Sequence, residues 1–544
     1  MTASGEPADR GSWRGDLARA ALGIAAVTAL ARLLGFGRLV VFGQSVGTET
    51  CLASVYYTAN TLPNLVFEVV AGGALASMVV PLLAGSVASG DTERASRTAS
   101  GLLTWTLLLL VPVSILAAVL AGPAMRLLTG DLPGCDAADS VALGARMLVV
   151  FAPQIALYGV AVVLTGMLQA HRRFLGPALA PLLSSLVVMA AYLAYGAQAG
   201  SAPEDLSAVP RASELTLSVG TTLGVVALSM SLLIPLRRTG LRLRPTLHFP
   251  DDQAVRARRL ALAGMAALVA QQASLAIVLW LANTHGGPGG VYFYTVAWTL
   301  FLVPWSVLAV PVATSAFPAL SASWESGSRE RYAELSASAT RAVLLIAAGA
   351  AASLIAASVP AARMLLVGTK GNPDPLELAR AIVTFAPGLI GYALVAHLGR
   401  ALYAAGAGRA AAGATVAGWL AVIAADLVLV PAATEGWEVA ALGAGNTIGM
   451  TLAGMLLLLA SGRLTAGAAL TRVPRTAATA LNAGTAVAAA GWLASRPLSS
   501  AGPIGSALAT AGIGAAALLA FAALASLTAR SELRAALRRG SAHA

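Results

Sequence analysis

Ala99-Ser-Gly-Leu-Leu-Thr-Trp-Thr-Leu-Leu-Leu-Leu-Val-Pro-Val-Ser-Ile-Leu-Ala-Ala-Val-Leu-Ala121 contains no ionisable side chain. As a helix it rises about 1.5 Å per residue, enough to cross the ~30 Å hydrocarbon core of a bilayer. Backbone polar groups in lipid have to be satisfied within the segment, so such a run is helical. A barrel strand would instead alternate over about ten residues. Outward from this stretch, further apolar runs lie near 20–45, 53–86, 141–169, 175–197, 215–236, 260–283, 290–322, 339–360, 379–406, 410–431, 437–460, 476–495 and 503–528, giving fourteen in all. The runs at 53–86 and 290–322 are long and contain Pro, which predicts a bend in each.

Composition agrees with a single polytopic body. Of 544 residues, 58% are hydrophobic and 11% charged, with a mean hydropathy of +0.78. Soluble domains carry about 25% charged residues. Disorder, a fibre and a disulfide scaffold are excluded, and the fold class is an all-α polytopic membrane protein. Cys51 and Cys135 are read as supplying neither a redox framework nor a zinc site. The segment from Met1 to Asp16 shows no cleavage pattern, so the first run is expected to remain as a helix.

The net charge is +11, and Lys370 is the one lysine among 35 basic residues. With the N-terminus inside, 25 Arg and Lys fall in the inside segments and 6 outside: Arg126, Arg211, Arg363, Lys370, Arg380 and Arg496. Arg32, Arg38, Arg146 and Arg400 lie within runs. The positive-inside rule then places both termini in the cytoplasm and requires an even number of spans. The same bias accounts for the basic charge without nucleic acid. The densest cluster, Arg237 to Arg259, reads as a contact with anionic headgroups.

The chain repeats internally. Pro81 to Arg94 matches Pro318 to Arg331 at seven of fourteen positions, at an offset of 237. Phe151-Ala152-Pro153 matches Phe385-Ala386-Pro387 at an offset of 234. An offset of six spans keeps both halves in one orientation, the parallel repeat of transporters that rock about a central site. The organisation read from this is a cytoplasmic N-tail (1–19), an N-lobe (20–236), a basic cytoplasmic linker (237–259), a C-lobe (260–460), two added helices (461–528) and a cytoplasmic C-tail (529–544).

No nucleophile elbow, Walker loop, zinc-protease motif or catalytic carboxylate pair is present, so the chain does not read as an enzyme. Ionisable groups in the hydrocarbon are informative because each costs roughly 2.5–3.5 kcal/mol to insert. Arg32 and Arg38 lie in the first run, separated by Gly35 and Gly37, which permit close packing or a local break. Guanidinium grips phosphate oxygens as a fork; the alternative is that one arginine snorkels or pairs with Glu68. Glu68 and Asp426 are the acids that fall inside the runs, away from their ends. Asp426 has no basic residue in its own helix, which suggests a bound cation such as Na⁺, or a proton. The alternative is a polar contact with Asn446 or Thr447. Arg400 reads as structural. Asn60, Asn64, Gln271 and Gln272 can hydrogen-bond in a cavity or between helices.

Ala31-Arg-Leu-Leu-Gly-Phe-Gly-Arg38 resembles the Ser-Arg-x-Leu-Gly-Phe-x-Arg opening of the MurJ/MviN family. So do Asn60-Thr-Leu-Pro-Asn64, Gly72-Gly73-Ala74 through Val80-Pro81, Phe174-Leu-Gly-Pro177-Ala178 with Pro181, and Tyr294 to Pro304 followed by Phe317-Pro318-Ala-Leu-Ser321. The resemblance implies the MOP exporter superfamily and, within it, flippases of lipid II, the undecaprenyl-diphosphate-linked peptidoglycan precursor. It also implies alternating access driven by an ion gradient or the membrane potential, a cationic cavity, and a lipid-tail groove on helices 13 and 14. Arg32, Arg38, Asn60 and Glu68 become the substrate-binding candidates. Asp426, Asn446 and Thr447 are the ion-coupling candidates, with coupling by Na⁺ or H⁺ and no other cofactor. Leu39 stands where the family usually has an acid, Ser54 where it commonly has an aspartate, and Thr299 near an arginine of some members. The implied setting is the bacterial cytoplasmic membrane, with a lipid-linked anionic substrate, membrane lipids and cell-wall synthesis proteins as partners. An exporter of another lipid-linked glycan or of drugs, or a non-transporting cell-wall scaffold, are the competing readings.

Overall fold

The computed structural model describes residues 27, 30–199, 205–247, 265–371, 373–496 and 502–528, except the side chains of 74, 76 and 77. Both expected tails, the start of the first run, 248–259 of the linker and the first five residues of the run at 260–283 lie outside the described residues. In chain order the helices are α1 (30–45), α2 (Cys51–Phe67), α3 (Gly73–Ala88), α4 (Thr92–Val119), α5 (Ala121–Thr129), α6 (Ala137–Phe151), α7 (Gln154–Ala170), α8 (Leu175–Ala199), α9 (Arg211–Ser231) and α10 (Leu233–Arg237). They continue as α11 (Met265–Thr284), α12 (Gly290–Pro304), α13 (Val310–Glu325), α14 (Arg329–Ala356), α15 (Ser358–Leu366), α16 (Pro375–Phe385), α17 (Gly388–Ala404), α18 (Gly408–Leu429), α19 (Glu438–Leu464), α20 (Val473–Ser495) and α21 (Pro503–Thr528). No strand occurs among the described residues. Ten spans are long and apolar enough to cross a membrane, or eleven if α16 and α17, bent by 41° at their junction, count as one. The protein is a multi-pass membrane protein.

The sequence repeat is a repeat of defects as well as of helices. Pro63 precedes a wide π-type turn at Glu68–Gly72 between α2 and α3; Pro304 precedes the same turn at Trp305–Ala309 between α12 and α13. Proline lacks an N–H and crowds the preceding turn, and the wide turn relieves the misfit. The two turns begin 237 residues apart, as do α4 and α14, each of 28 residues, and α5 and α15, each of 9. Phe151-Ala152-Pro153 and Phe385-Ala386-Pro387 both mark breaks, after which α7 and α17 run for 17 residues each.

Among the described residues, the buried apolar contacts of α20 and α21 are with the second half. Leu345, Ala348, Ala352 and Ala356 of α14 meet Ala480, Ala483 and Val487 of α20 and Ala517, Phe521 and Ala525 of α21. A Cβ on Gly349 would stand 2.8 Å from the Phe521 ring, so this glycine sets how closely α21 approaches. The other face of α21 stays apolar and open, with Ile504, Leu508, Leu519 and Leu527 exposed.

Cys51 and Cys135 form a disulfide, with Cα atoms 5.8 Å apart across 84 residues of sequence. This corrects the reading that the two cysteines form no redox pair. The N-terminus of α2 and the turn after α5 meet at one end of the bundle, a closeness that sequence spacing does not display.

Candidate transport site

The two halves are latched at the disulfide-bearing end. The Thr48 N–H and hydroxyl both donate to the Lys370 carbonyl, at 3.1 and 3.3 Å; the Lys370 N–H donates to the Gly43 carbonyl at 3.1 Å. Lys370 Nζ donates to the Ser45 carbonyl at 3.0 Å, and Gln44 Nε2 to the Val367 carbonyl at 3.1 Å. Deeper in, Asn283 Nδ2 donates to Thr58 Oγ1 at 2.8 Å, Tyr292 Oη to the Leu39 carbonyl at 3.1 Å, and the Gly289 N–H to Ser54 Oγ at 2.9 Å. Gly289 has φ +97°, and a Cβ there would lie 2.6 Å from the Thr48 carbonyl oxygen, so only glycine fits this crossing. Leu39 and Ser54, where the resemblance leads one to expect acids, are thus buried parts of the latch. Thr299 donates to the Thr295 carbonyl of its own helix. Glu49, in the turn between α1 and α2, lies against Gly371. Burial raises its carboxyl above the usual range; the charge of Asp374 adds to this and a backbone N–H of Asp374 opposes it. In this packed turn the protonated form of Glu49 is favoured relative to a solvated carboxyl.

Beneath the latch is an aromatic ceiling. Phe42 packs on Tyr56, Tyr57, Tyr192 and Tyr292 at centroid distances of 4.6–5.9 Å. Tyr56 Oη hydrogen-bonds Tyr192 Oη at 2.8 Å and Thr221 Oγ1 at 2.7 Å. Arg38 of α1 is half-buried under these rings, within Coulombic reach of Tyr192, Tyr57, Tyr56 and Tyr158. Its side chain makes no hydrogen bond or ion pair among the described residues. Arg32 is exposed. α1 is continuous from 30 to 45, and no atom outside its own helix comes within 4 Å of a Cβ built at Gly35; at Gly37 only Met189 does, at 3.9 Å. The expected break or close packing at these glycines is absent. Each keeps α1 slim on a face that has room.

Glu68 forms no ion pair with Arg32 or Arg38. Its carboxylate folds back over Gly72, where a Cβ would be 2.2 Å away. It lines a cavity of about 380 Å³ with Asn64, Tyr158, Thr165 and Gln169. Tyr158 therefore faces both this cavity and the field of Arg38. Asn60 is partly buried and its Oδ1 has no partner.

In the second half, Asp426 of α18 is fully buried and neither carboxylate oxygen has a partner. Gly445 of α19 packs directly on Oδ1; a Cβ there would be 1.8 Å away. Tyr294 lies within Coulombic reach. Asn446 is buried with its Nδ2 unpartnered. Thr447 points the other way and bridges the α16–α17 break, donating to the Thr384 carbonyl at 2.6 Å and accepting from the Gly388 N–H at 3.0 Å. α19 thus touches Asp426 through Gly445 and the helix break through Gly443, Thr447 and the Asn446 amide, which lies against Gly388. Among the described residues no group of three His, Cys, Asp or Glu could hold a metal. Arg400 donates to the Ala396 carbonyl of its own helix at 2.6 Å. Gln272 is buried with Oε1 unpartnered, and Gln271 is partly exposed.

Sequence reasoning missed two features. One is Glu214, which lies just ahead of the apolar run at 215–236 and is buried in α9, paired with Arg146 at 3.0 Å and with Arg211. The other is the tyrosine ceiling. Its signal was available as Tyr56-Tyr57, Tyr192 and Tyr195 within apolar runs, since a buried phenol needs a partner.

The profile of a family described as "Lipid II flippase MurJ" matches residues 44–512. A protein of Rhizobium tropici named "Probable lipid II flippase MurJ" is 27% identical over 380 residues, covering 69% of this chain and 68% of that one. A namesake from Vibrio cholerae is 25% identical over 267 residues, 48% of each chain. Among solved structures, a lipid II flippase MurJ in an inward closed conformation superposes with a TM-score of 0.71 at 16% identity, covering 93% of this chain and 99% of that one. An inward-facing multidrug resistance MATE transporter of the MOP superfamily gives 0.66 at 16% identity, over 80% and 95%. The extent of the profile match decides the matter: this chain belongs to the lipid II flippase MurJ family, a family of transporters rather than enzymes.

Proposed function

We propose that the protein moves lipid II, a polyprenyl-diphosphate-linked peptidoglycan precursor, from the cytoplasmic to the outer leaflet of the bacterial plasma membrane by alternating access. The observation that carries this reading is Arg38, a half-buried guanidinium without a protein partner, set beneath a ceiling that closes one end of the path. A diphosphate supplies the missing partner. With the latch closed at one end, access is from the other; parting Thr48 from Lys370 and Ser54 from Gly289 reverses it. α20 and α21, with their open apolar face, support a lipid-tail path and distinguish this reading from drug export on the same scaffold. Residues 20–236 and 260–460 act as the two lobes, and an ion gradient or the membrane potential drives them. Cell-wall synthesis enzymes are the proposed partners on the outer face. The test is rescue of a strain depleted of its own lipid II flippase. Rescue by the native chain together with lipid II flipping in vesicles is expected; a well-inserted protein that does neither sinks the proposal.

The proposed topology has fourteen spans, adding α1, α2–α3 and α20 to those that qualify by length and hydropathy, with both termini cytoplasmic. The disulfide supports this independently of the charge count. Disulfides persist in oxidising compartments, and Cys51, at the N-terminus of α2, and Cys135, in the turn after α5, both lie at the end that N-in topology places outside. A membrane-impermeant thiol reagent is expected to label intact cells only after an impermeant reductant. Labelling that requires permeabilised cells would reverse the orientation.

A further inference from the structure

At the end opposite the disulfide, segment 241–247 lies extended along α4. The N–H groups of Arg242, Arg244 and Thr246 donate to the hydroxyls of Ser96, Ser100 and Thr104 at 3.1, 3.0 and 3.1 Å. The spacing explains the ladder: alternate residues of an extended chain rise about 6.6 Å, and every fourth residue of a helix about 6 Å. Leu241 and Leu243 turn inward onto the N-lobe core, while Arg242 and Arg244 are exposed.

We propose that the groove between α4 and this strap binds the phosphate headgroup of an anionic membrane lipid, at a site separate from the inter-lobe path. Arg97, Arg242 and Arg244 line a cavity of about 510 Å³ together with Ser96, Ser100 and one carboxylate, Glu93. None of the three guanidinium groups makes a hydrogen bond or ion pair among the described residues. Ser96 and Ser100 accept from the strap and, among the described residues, donate to nothing, which leaves their hydroxyl protons for a ligand. Three forks against one carboxylate, with spare hydroxyl donors, make a phosphate site.

The rest of α4 identifies the ligand as a lipid. The stripe Thr92, Ser96, Ser100, Thr104 continues at helical spacing as Leu108, Val111, Ile115 and Val119, which are 53%, 43%, 60% and 71% exposed. Trp105 Nε1 donates to the Leu247 carbonyl at 3.2 Å, the indole placement expected at a headgroup boundary. One helix face thus offers polar contacts to a headgroup and then an aliphatic ridge to its chain. α4 packs on α3 and α7 within the N-lobe, so the ridge faces away from the inter-lobe contact. This inference holds whether or not the transport reading does.

The experiment is native mass spectrometry of the purified full chain with phosphatidylglycerol or phosphatidylcholine. Phosphatidylglycerol is expected to be retained at least tenfold over phosphatidylcholine. The preference should disappear in R97Q/R242Q/R244Q and persist in Arg38→Ala. Equal retention of the two lipids, or a triple variant that binds like the native chain, overturns the proposal. So does displacement of the lipid by millimolar inorganic phosphate, which would assign the groove to a soluble anion. If the triple variant fails to give a monodisperse protein, the single variants Arg242→Gln and Arg244→Gln decide the matter. Each lies at an exposed strap position and should lower retention severalfold, and no change in both refutes the site.

Discussion

Arg38→Ala is expected to abolish rescue of a flippase-depleted strain and to weaken lipid II binding by about 10²–10⁴. The figure assumes two charge-assisted hydrogen bonds to a diphosphate, at about 1.5–3 kcal/mol each and about 1.4 kcal/mol per tenfold. The environment favours the high end, because the Arg38 side chain is half-buried under apolar rings and has no protein partner to fall back on. Arg38→Lys should recover only part of the loss, since a point charge lacks the fork. Arg32→Ala should cost less: this residue is exposed and solvent replaces what it offers. Tyr192→Phe separates binding from gating. It deletes the Tyr192–Tyr56 hydrogen bond without touching the charge of Arg38, so it should alter flipping rate more than lipid II affinity. Binding and flipping unchanged in an Arg32→Ala/Arg38→Ala protein would remove the site.

Much of the architecture was legible because lipid imposes so few solutions. A span has to be long, apolar and helical, and runs such as Ala99–Ala121 say so unaided. The expected bends in the proline-containing runs fall where the structure has π-type turns, and Phe-Ala-Pro at 151 and 385, read in the sequence as a repeat, falls at the α6–α7 and α16–α17 junctions. Long-range closeness was the illegible part. Nothing in 84 residues of spacing brings Cys51 to Cys135, and nothing in the local sequence of Lys370 brings it to Gly43 and Ser45. Such contacts arise from packing two repeats together, and no period or motif encodes the join.

The candidate site was legible by cost and illegible by partnership. Arg38 and Asp426 stood out because a charge in hydrocarbon demands a reason. Which groups supply that reason is a matter of geometry. Glu68 sits near Arg38 in sequence logic yet folds back on Gly72, and Thr447 follows Asn446 but serves the helix break. The absent acids at 39 and 54 were visible as departures from the family pattern. What stands there instead, a Ser54 hydroxyl that accepts from the Gly289 N–H and a buried Leu39 side chain, required the partner helix to be in place.

Asp426→Asn is expected to uncouple transport from its driving gradient while leaving a folded protein. An ionised carboxylate buried without a partner costs several kcal/mol, so the side chain either holds a proton or has a cation beside it. Both oxygens lack donors here, and Asn446, which follows the contacting Gly445 on α19, has an unspent amide. A carboxylate buried in the hydrocarbon is the kind of group by which transporters bind coupling ions or carry protons. If the ion is Na⁺, replacing KCl by NaCl at constant ionic strength should raise the Tm of the native protein. Binding at a hundredfold excess over Kd contributes about 2.7 kcal/mol, a shift of a few degrees. The Asn variant should show no such difference and should transport at least tenfold more slowly under the gradient. If the ion is a proton, the Na⁺ effect is absent and the native rate depends on pH where the variant's does not. Gly445→Ala is the matched control from the other side of the contact, since its methyl would occupy the place of Oδ1 and should impair the same coupling without altering charge. A variant lacking the Asp426 charge that keeps full, gradient-dependent flipping would show the carboxylate to be a passenger in the core, whatever the rest of the pathway does.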